Sequence, residues 1–559
     1  MKKLLAFALV AAMLTAMMLT GCGPKLAQSV DANKTQLYIG TYGGGVGTEW
    51  LEKAIADFEA KYAETSFEEG KKGVQIMIRT NKTDMEGETL KDVIGLADTK
   101  EEIYFTEGVF YQTYVSRGLM LDLTDYINAD LTEFGESESI ADKMSDELKS
   151  AMSIDGKIYA LPFWQGCYGM VYNATLFDEN GWYFDKNGNF TDAAGNLGTG
   201  PDGQSGTADD GQPRTYDEFF KLLAEIRKDG CVPLSFAGAS QDYLTWLLAE
   251  MAVDYMGVDA FKTNYSLDGT VELIKAGTAD FTGDTVTYQA ENVAITPKNG
   301  YELARQPGLA HAIKFAERLM QNTTNYNANS CLSGSYKISD AQLEFVGNTA
   351  STKLDPIAIM IDGSWWENEA SAAFQNTYQG SKYDSEMEYK WMSFPKATED
   401  KVGQKSTLVA SVLDSYSFIK ANISESKKDL AVKFLQFVHT DAQMAQFTET
   451  TGLAKPYDYA VDQTKLTSFT QSMMASFHAA DLVTPMGNSD LYRAYCSDYR
   501  LAYWMRTAYD PSKGAIDNLA SILTTKSGGD YVYTAADCYN GMLTYRRDTR
   551  WDAYESLIK

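Results

Sequence analysis

From Gln36 onward, short apolar runs alternate with longer segments whose apolar residues recur at helical spacing, and this alternation points to an α/β sheet. Gln36-Leu37-Tyr38-Ile39-Gly40 reads as a strand. A Gly-rich turn at Gly43 to Gly47 then feeds a helical pattern from Glu49 to Tyr62, with Leu51, Ile55 and Phe58 on one face. Val74 to Ile78 and Ile103-Tyr104-Phe105 are further strands, the second led into by Lys91 to Leu96. The chain has 559 residues, against the roughly 100–200 of a single domain, so two lobes or more are expected.

The pattern continues downstream. Asp155-Gly156-Lys157 is a turn feeding Ile158 to Phe163, an extended segment interrupted by Pro162, and a strand resumes at Gly169 to Tyr172. Residues 183–213 are rich in Gly, Asp and Asn with few apolar residues, and read as a surface insertion. Helices are expected at Tyr216 to Lys228, Tyr243 to Met256 and Leu430 to Val438. Ile357 to Ile361 is a strand ending in Asp362-Gly363-Ser364-Trp365-Trp366. No repeat of fixed period is present. The Gly-rich turn has neither the lysine of a phosphate loop nor a clean GxGxxG, so nucleotide binding is not supported.

Composition removes several function classes. Lys+Arg number 49 against 76 Asp+Glu, and a formal charge of −27 repels nucleic acid and anionic lipid. The three histidines, His311, His439 and His478, have no metal-ligand or catalytic spacing. Aromatic residues reach 12%, an excess that needs a use. At the N-terminus, Lys2 and Lys3 precede an uncharged apolar run from Leu4 to Thr20 that is shorter than the roughly 20 residues of a membrane span. It ends Leu19-Thr20-Gly21-Cys22, which looks like a bacterial lipobox. Residues 1–21 are expected to be a lipoprotein signal peptide, Cys22 the lipidated residue, and 22–34 a flexible tether at the extracellular face of the cell membrane. Cys167, Cys231, Cys331, Cys496 and Cys538 are odd in number and widely spaced, which fits buried small apolar residues and excludes a dense disulfide framework.

The lipobox, Asp155 to Pro162, Val171-Tyr172-Asn173 with Leu176-Phe177 and Asn180-Gly181-Trp182, Thr215 to Phe219, Ala358 to Trp365, Ala431 to Phe437, and Thr451-Gly452-Leu453 before Pro456 occur in this order. Together they resemble the extracellular solute-binding lipoproteins of ABC importers, in the maltose-binding-protein-like branch. The last hundred residues carry no part of the resemblance. It implies a periplasmic-binding-protein-like α/β fold: two lobes joined by crossover segments, with a ligand cleft between them. Carried onto this chain, the crossovers fall near Phe163 to Tyr168, Trp391 to Pro395 and Thr440. Lobe one is then 35–163 with 396–440, and lobe two 165–391 with 441–559. The implied partners are an oligosaccharide and the permease subunits of a transporter. A monomer and no catalytic activity are expected, with no cofactor required.

Sugar rings stack on aromatic faces while their hydroxyls need hydrogen-bond partners, and Trp and Tyr serve both needs. The family's cleft positions map onto Tyr42 and Gly44, Phe105, Thr106 and Glu107, Trp164, Gln165 and Tyr168, and Trp365. Asp242, Tyr243, Trp246, Asp414, Tyr416 and Tyr457 are further candidates. Trp50, Trp182 and Trp504 read as core, and Trp366 should point away from the cleft if Trp365 enters it. Two other classes stay open: the same fold holding a peptide or other small molecule, and a secreted glycoside hydrolase, which needs two carboxylates flanking the sugar. In the insertion, Asp185, Asn187, Asn189 and Asp192, with Asp202, Asp209 and Asp210, space oxygens among glycines. That leaves two readings, a structural Ca²⁺ and a solvated loop of turns.

Overall fold

The computed structural model describes residues 29–41, 44–80, 99–107, 112–192, 195–351, 353–410, 415–484, 508–510, 515–517 and 519–552. Two mixed sheets organise them. In the first lobe, β1 (Thr35–Thr41) lies parallel to β2 (Val74–Thr80) and β3 (Ile103–Glu107), and β10 (Ser415–Ile419) and β4 (Leu161–Pro162) extend the sheet antiparallel, in the order β2-β1-β3-β10-β4. In the second lobe, β6 (Val232–Ser235) is parallel to β7 (Ile357–Gly363). Antiparallel β5 (Tyr168–Asn173) and β8 (Tyr389–Met392) complete the order β6-β7-β5-β8.

Each lobe has its own core. Helix α1 (Glu49–Lys61) buries Trp50, Leu51, Ile55 and Phe58 in the first lobe. The ring of Trp50 packs at 5.3 Å from Phe105 and 5.1 Å from Phe447. Helix α2 (Tyr216–Lys228) in the second lobe starts at Thr215, whose hydroxyl accepts the Glu218 N–H, and carries acids in its first turn and bases in its last, as the helix dipole favours. Trp182 and Trp366 are core residues of this lobe, and Trp182 donates its indole N–H to Asp229 at 2.8 Å. Trp504 lies outside the described residues.

Only the first crossover falls where expected. Beyond β8 the chain stays on the second lobe as far as Val409: Lys396 is buried against Asp254, and β9 (Thr407–Val409) pairs in parallel with β11 (Asp481–Val483). Ala410 already packs with the core of lobe one. The expected break at Trp391 to Pro395 is only the end of a strand, because a three-residue β9 offers too little pattern to be read. Helix α4 (Asp441–Thr451), expected in lobe two, packs on α1, with the side-chain amides of Gln443 and Gln446 donating to Asp57 at 3.1 Å. The third crossing instead follows Gly452, which caps α4 with a φ of 77°. Past the crossings, the described C-terminal residues dock on lobe two, where Trp551 donates to the Pro297 carbonyl at 2.9 Å.

The insertion is less superficial than its composition implies. Tyr183-Phe184 pairs with Phe190-Thr191, and Phe184, Asp209 and Gln212 are buried.

Two histidines tie the fold to pH. Burial pushes His311 down to about 4. His439, whose Nδ1 lies 2.7 Å from the Leu435 carbonyl, is pushed to about 3 by burial and by the charges of Lys455 and Lys143. Both values lie below the ordinary value of about 6.5, so the unfolded chain takes up protons that the folded chain does not. The stability these neutral rings contribute is complete above about 6.5 and is lost as pH falls toward the folded values. His311→Asn should flatten the fall in melting temperature between these limits. An unchanged slope would remove His311 as a source of acid sensitivity.

Candidate functional site

The first crossover presents two faces. In an extended segment alternate side chains oppose one another, and here Trp164, Gly166 and Tyr168 share one face while Gln165 lies on the other. A Cβ at Gly166 would lie 2.6 Å from the Trp164 ring and 2.7 Å from the Ser364 hydroxyl, so only glycine lets the lobes' aromatic rings approach here. The Gln165 N–H bonds to the Ala454 carbonyl at 3.0 Å, joining the first crossover to the third.

Onto the Trp164 face converge rings from two elements of lobe two. Helix α3 (Asp242–Ser266) supplies Tyr243 and Trp246 from its first turns, and the loop after β7 supplies Trp365. The Tyr168 ring stacks on Trp246 at 5.4 Å with 9° between planes, and meets Trp365 edge-on at 4.8 Å. Trp365 also packs on Trp164 at 5.9 Å and Tyr243 at 6.3 Å, and donates its indole N–H to the Tyr243 oxygen. The Trp365 ring folds back over the backbone of Gly363, which leaves no room for a Cβ there. Trp365 rises from the sheet of lobe two yet packs with the core of lobe one. A hydrogen bond across the lobes, from Asn368 Nδ2 to the Gly45 carbonyl at 2.7 Å, stands beside it.

The floor under these rings is polar and sealed. Asp362 is fully buried; its carboxylate accepts the Gly363 N–H at 2.8 Å and the Gln342 amide at 3.1 Å, and the same amide reaches Glu369 at 2.9 Å. Burial and the Glu369 charge push the Asp362 carboxyl well above the usual carboxylate range. Burial, then Asp362 and Glu369, push the Tyr243 phenol up as well. In contrast, the indole N–H of Trp164 is buried without a hydrogen-bond partner among the described residues. An orphaned donor of this kind is costly unless something else satisfies it.

Two further carboxylates of α3 secure the hinge. Glu250 accepts the Val409 N–H at 2.7 Å and the Tyr168 N–H, while Asp254 accepts the Thr407 N–H at 3.1 Å and grips Lys396 at 2.9 Å through both oxygens. Burial drives the Glu250 carboxyl well above its ordinary range. Neither residue was singled out from the sequence, although two acids four apart in the apolar run Leu247 to Met256 are a signal for buried acceptors. Gly45, Gly166, Gln342, Asp362 and Asn368 were missed as well, since their roles come from approaches between distant segments.

Five expected site residues, Trp164, Tyr168, Tyr243, Trp246 and Trp365, thus form one cluster, and Gly44 lies beside Gly45 at the lobe-one wall. Others are placed elsewhere. Phe105, Thr106 and Tyr416 are fully buried in lobe one, with Phe105 packed on Phe163 at 5.4 Å and Thr106 opposite Tyr416 in the sheet, so they present no surface to a solute. Gln165 and Tyr457 lie on the opposite face of the hinge, where Tyr457 donates to the Pro162 carbonyl at 2.8 Å. Glu107 ends β3 and Asp242 opens α3. Tyr42, Asp414 and Cys22 lie outside the described residues.

The model of the bacterial extracellular solute-binding protein family matches residues 53–471. The chain belongs to this family. No curated protein sequence matches it significantly. Among solved structures, maltose-bound T. maritima MalE3 is similar with a TM-score of 0.54 at 13% identity, covering 92% of this chain and 99% of that one. A chitin oligosaccharide binding protein gives 0.53 at 15% identity, covering 93% and 100%, and the solute-binding protein RafE in complex with raffinose gives 0.51 at 14%, covering 88% and 99%. At these identities the likeness establishes the two-lobed fold of this solute-binding protein.

The oxygen-rich insertion of the solute-binding protein resolves into two turns. Asp185 accepts the N–H groups of Asn187 at 2.8 Å and Asn189 at 2.9 Å, which holds its carboxyl below the usual range. Asp202 accepts from Gln204 at 2.7 Å and Asp210 from Gly206 at 2.7 Å. Asp209, raised to about 6 chiefly by burial, accepts from Asp202 at 3.1 Å and from the Thr207 hydroxyl at 2.8 Å. Asp192 joins neither set, and among the described residues no three His, Cys, Asp or Glu side chains converge as metal ligands. These turns are closed by their own N–H groups. Melting curves recorded in excess chelator and in excess Ca²⁺ separate the two readings: they coincide for a solvated loop, and a lower melting temperature in chelator marks a structural ion.

Proposed function

We propose that this solute-binding protein captures a neutral oligosaccharide between its lobes and delivers it to the permease of an ABC importer, tethered to the extracellular face of the membrane by acyl chains on Cys22. The observation that carries the reading is the cluster of Trp164, Tyr168, Tyr243, Trp246 and Trp365, built from the first crossover and two elements of lobe two. Aromatic faces match the C–H patches of pyranose rings, and the unpartnered Trp164 N–H offers a donor to a hydroxyl or ring oxygen. The names of three similar structures, which bind chitin oligosaccharide, raffinose and maltose, support the same class. Asp362, whose charge reaches Tyr243, is sealed beneath these rings and bonded to Gln342 and Gly363, so this carboxyl is not free to act on a glycosidic bond, which favours a binding role over glycoside hydrolysis.

Thermal shift across a panel of glycans tests this directly, because a bound solute stabilises the folded chain by an amount that grows with the logarithm of its concentration over Kd. At least one oligosaccharide should do so and should shrink the radius of gyration in small-angle scattering. A broad panel with no stabilising glycan would defeat the carbohydrate reading.

Trp365→Ala should fold and lose on the order of 10- to 100-fold in affinity for that glycan, the loss of one stacked aromatic being about 1–3 kcal/mol. Unchanged affinity in a folded Trp365→Ala protein would take Trp365 out of the site.

A further inference from the structure

Behind the hinge, on the face to which Gln165 turns, lies a cavity of about 1260 Å³ that none of the five clustered aromatic residues lines. Its floor is made by one residue from each crossover: Gln165, Ala410 and Ala454. One wall is lobe one, at Lys143 to Leu148, and the other is the second limb of α3, where Val258, Phe261, Lys262 and Tyr265 follow a break at Gly257. An ion pair from Lys262 to Glu147 at 3.4 Å spans the lobes beside it. The cavity is thus an inter-lobe space of its own, back to back with the aromatic cluster.

The chemistry of the lining selects an occupant. Charged groups on the wall are already committed: Lys143 to Glu136 and Asp441, Lys262 to Glu147, Asp481 to Lys405, and Asp142 to the N–H and hydroxyl of Ser139. Lys455, buried and without a carboxylate partner among the described residues, is lowered by burial to about 7 and donates from its Nζ to the Phe163 carbonyl at 2.8 Å. Asp458 and His478 are exposed. Apart from Lys455, whose charged form burial disfavours, an ionic ligand would therefore find no buried, uncommitted counter-charge among the described lining residues. What remains is flat apolar surface from Phe261, Tyr265, Tyr457, Tyr459 and Phe477, together with the half-buried side-chain amide of Gln165, which makes no hydrogen bond among the described residues. Aromatic walls with an amide that can both donate and accept suit a neutral, hydroxylated ring. The volume exceeds the roughly 300–1,000 Å³ of ordinary ligand pockets, enough for a disaccharide with water.

We infer that this cavity is a second solute site, separate from the aromatic cleft, and that it takes a neutral mono- or disaccharide. The inference stands whichever solute the front cleft holds. The test uses the full chain carrying Trp365→Ala, which weakens the front cleft and leaves the rear lining untouched. Maltose, raffinose and N,N′-diacetylchitobiose are titrated at millimolar concentration by saturation-transfer NMR. At least one should bind saturably, and that binding should disappear when Ser266→Trp fills the cavity mouth. Gln165→Ala should weaken it about fivefold, the loss of one neutral hydrogen bond, and serves alone if the tryptophan variant does not fold. No saturable binding to the Trp365→Ala protein would overturn the rear site. So would binding indifferent to both cavity variants, which would assign it to what remains of the front cleft. Glycan binding kept by Ser266→Trp and weakened by Trp365→Ala belongs to the front cluster, and the converse pattern to the rear cavity, so failure of one site is distinguishable from failure of the other.

Discussion

The arrangement at the hinge rests on two buried carboxylates of α3. Glu250 and Asp254 are four residues apart and so share a helix face, and from it they bind the backbone N–H groups of Tyr168, Thr407 and Val409. Those groups belong to the end of the first crossover and the approach to the second, where the backbone leaves one sheet for another. Acceptors placed on a rigid helix satisfy them without a sheet neighbour. Lys396, held by both oxygens of Asp254, supplies the counter-charge that makes so buried an acid tolerable. Removing one partner of such a pair leaves the other uncompensated, a loss of about 3–5 kcal/mol. The position of Tyr168 follows from this anchorage, and with it the stack on Trp246 one turn before Glu250.

What could be read from the sequence follows the range of each interaction. Strands β1, β2 and β7 and helices α1 and α2 announce themselves by local period, and the structure changes their bounds by a few residues at most. The end of the first limb of α3 was readable at Met256, because Gly257 takes a φ of 78° there. The five aromatic residues could be placed in one site because each sits at a strand end, a crossover or a helix start. Phe105, Thr106 and Tyr416 come from equally plausible strand ends, yet alternation and sheet partners turn them into the core, and register is a long-range fact. The second crossover was misplaced for the same reason: β9 is short, and its pairing with β11 joins residues more than seventy apart. The unions at Asn368 with Gly45 and at Gln342 with Asp362 depend on the lobes meeting.

Helix α3 also connects the two faces of the hinge. Its first limb places Tyr243 and Trp246 in the front cluster and Glu250 and Asp254 under the crossovers; its second limb walls the rear cavity. Front cluster and rear cavity are bounded by the same two lobes and share the first crossover as floor, with Trp164 on one side and Gln165 on the other. A rotation of the lobes about the crossovers therefore cannot alter one space and leave the other untouched. Two solutes that each favour one lobe angle are then linked through that angle, and the linkage acts equally in both directions. If closure over the front cleft widens the rear space, a rear occupant strengthens front binding; if it narrows that space, the occupant weakens it. The Lys262–Glu147 pair beside the rear cavity opposes widening and the Asn368–Gly45 bond beside the front cluster opposes its opening, so contacts on the two sides of the hinge act on the lobe angle in opposite directions.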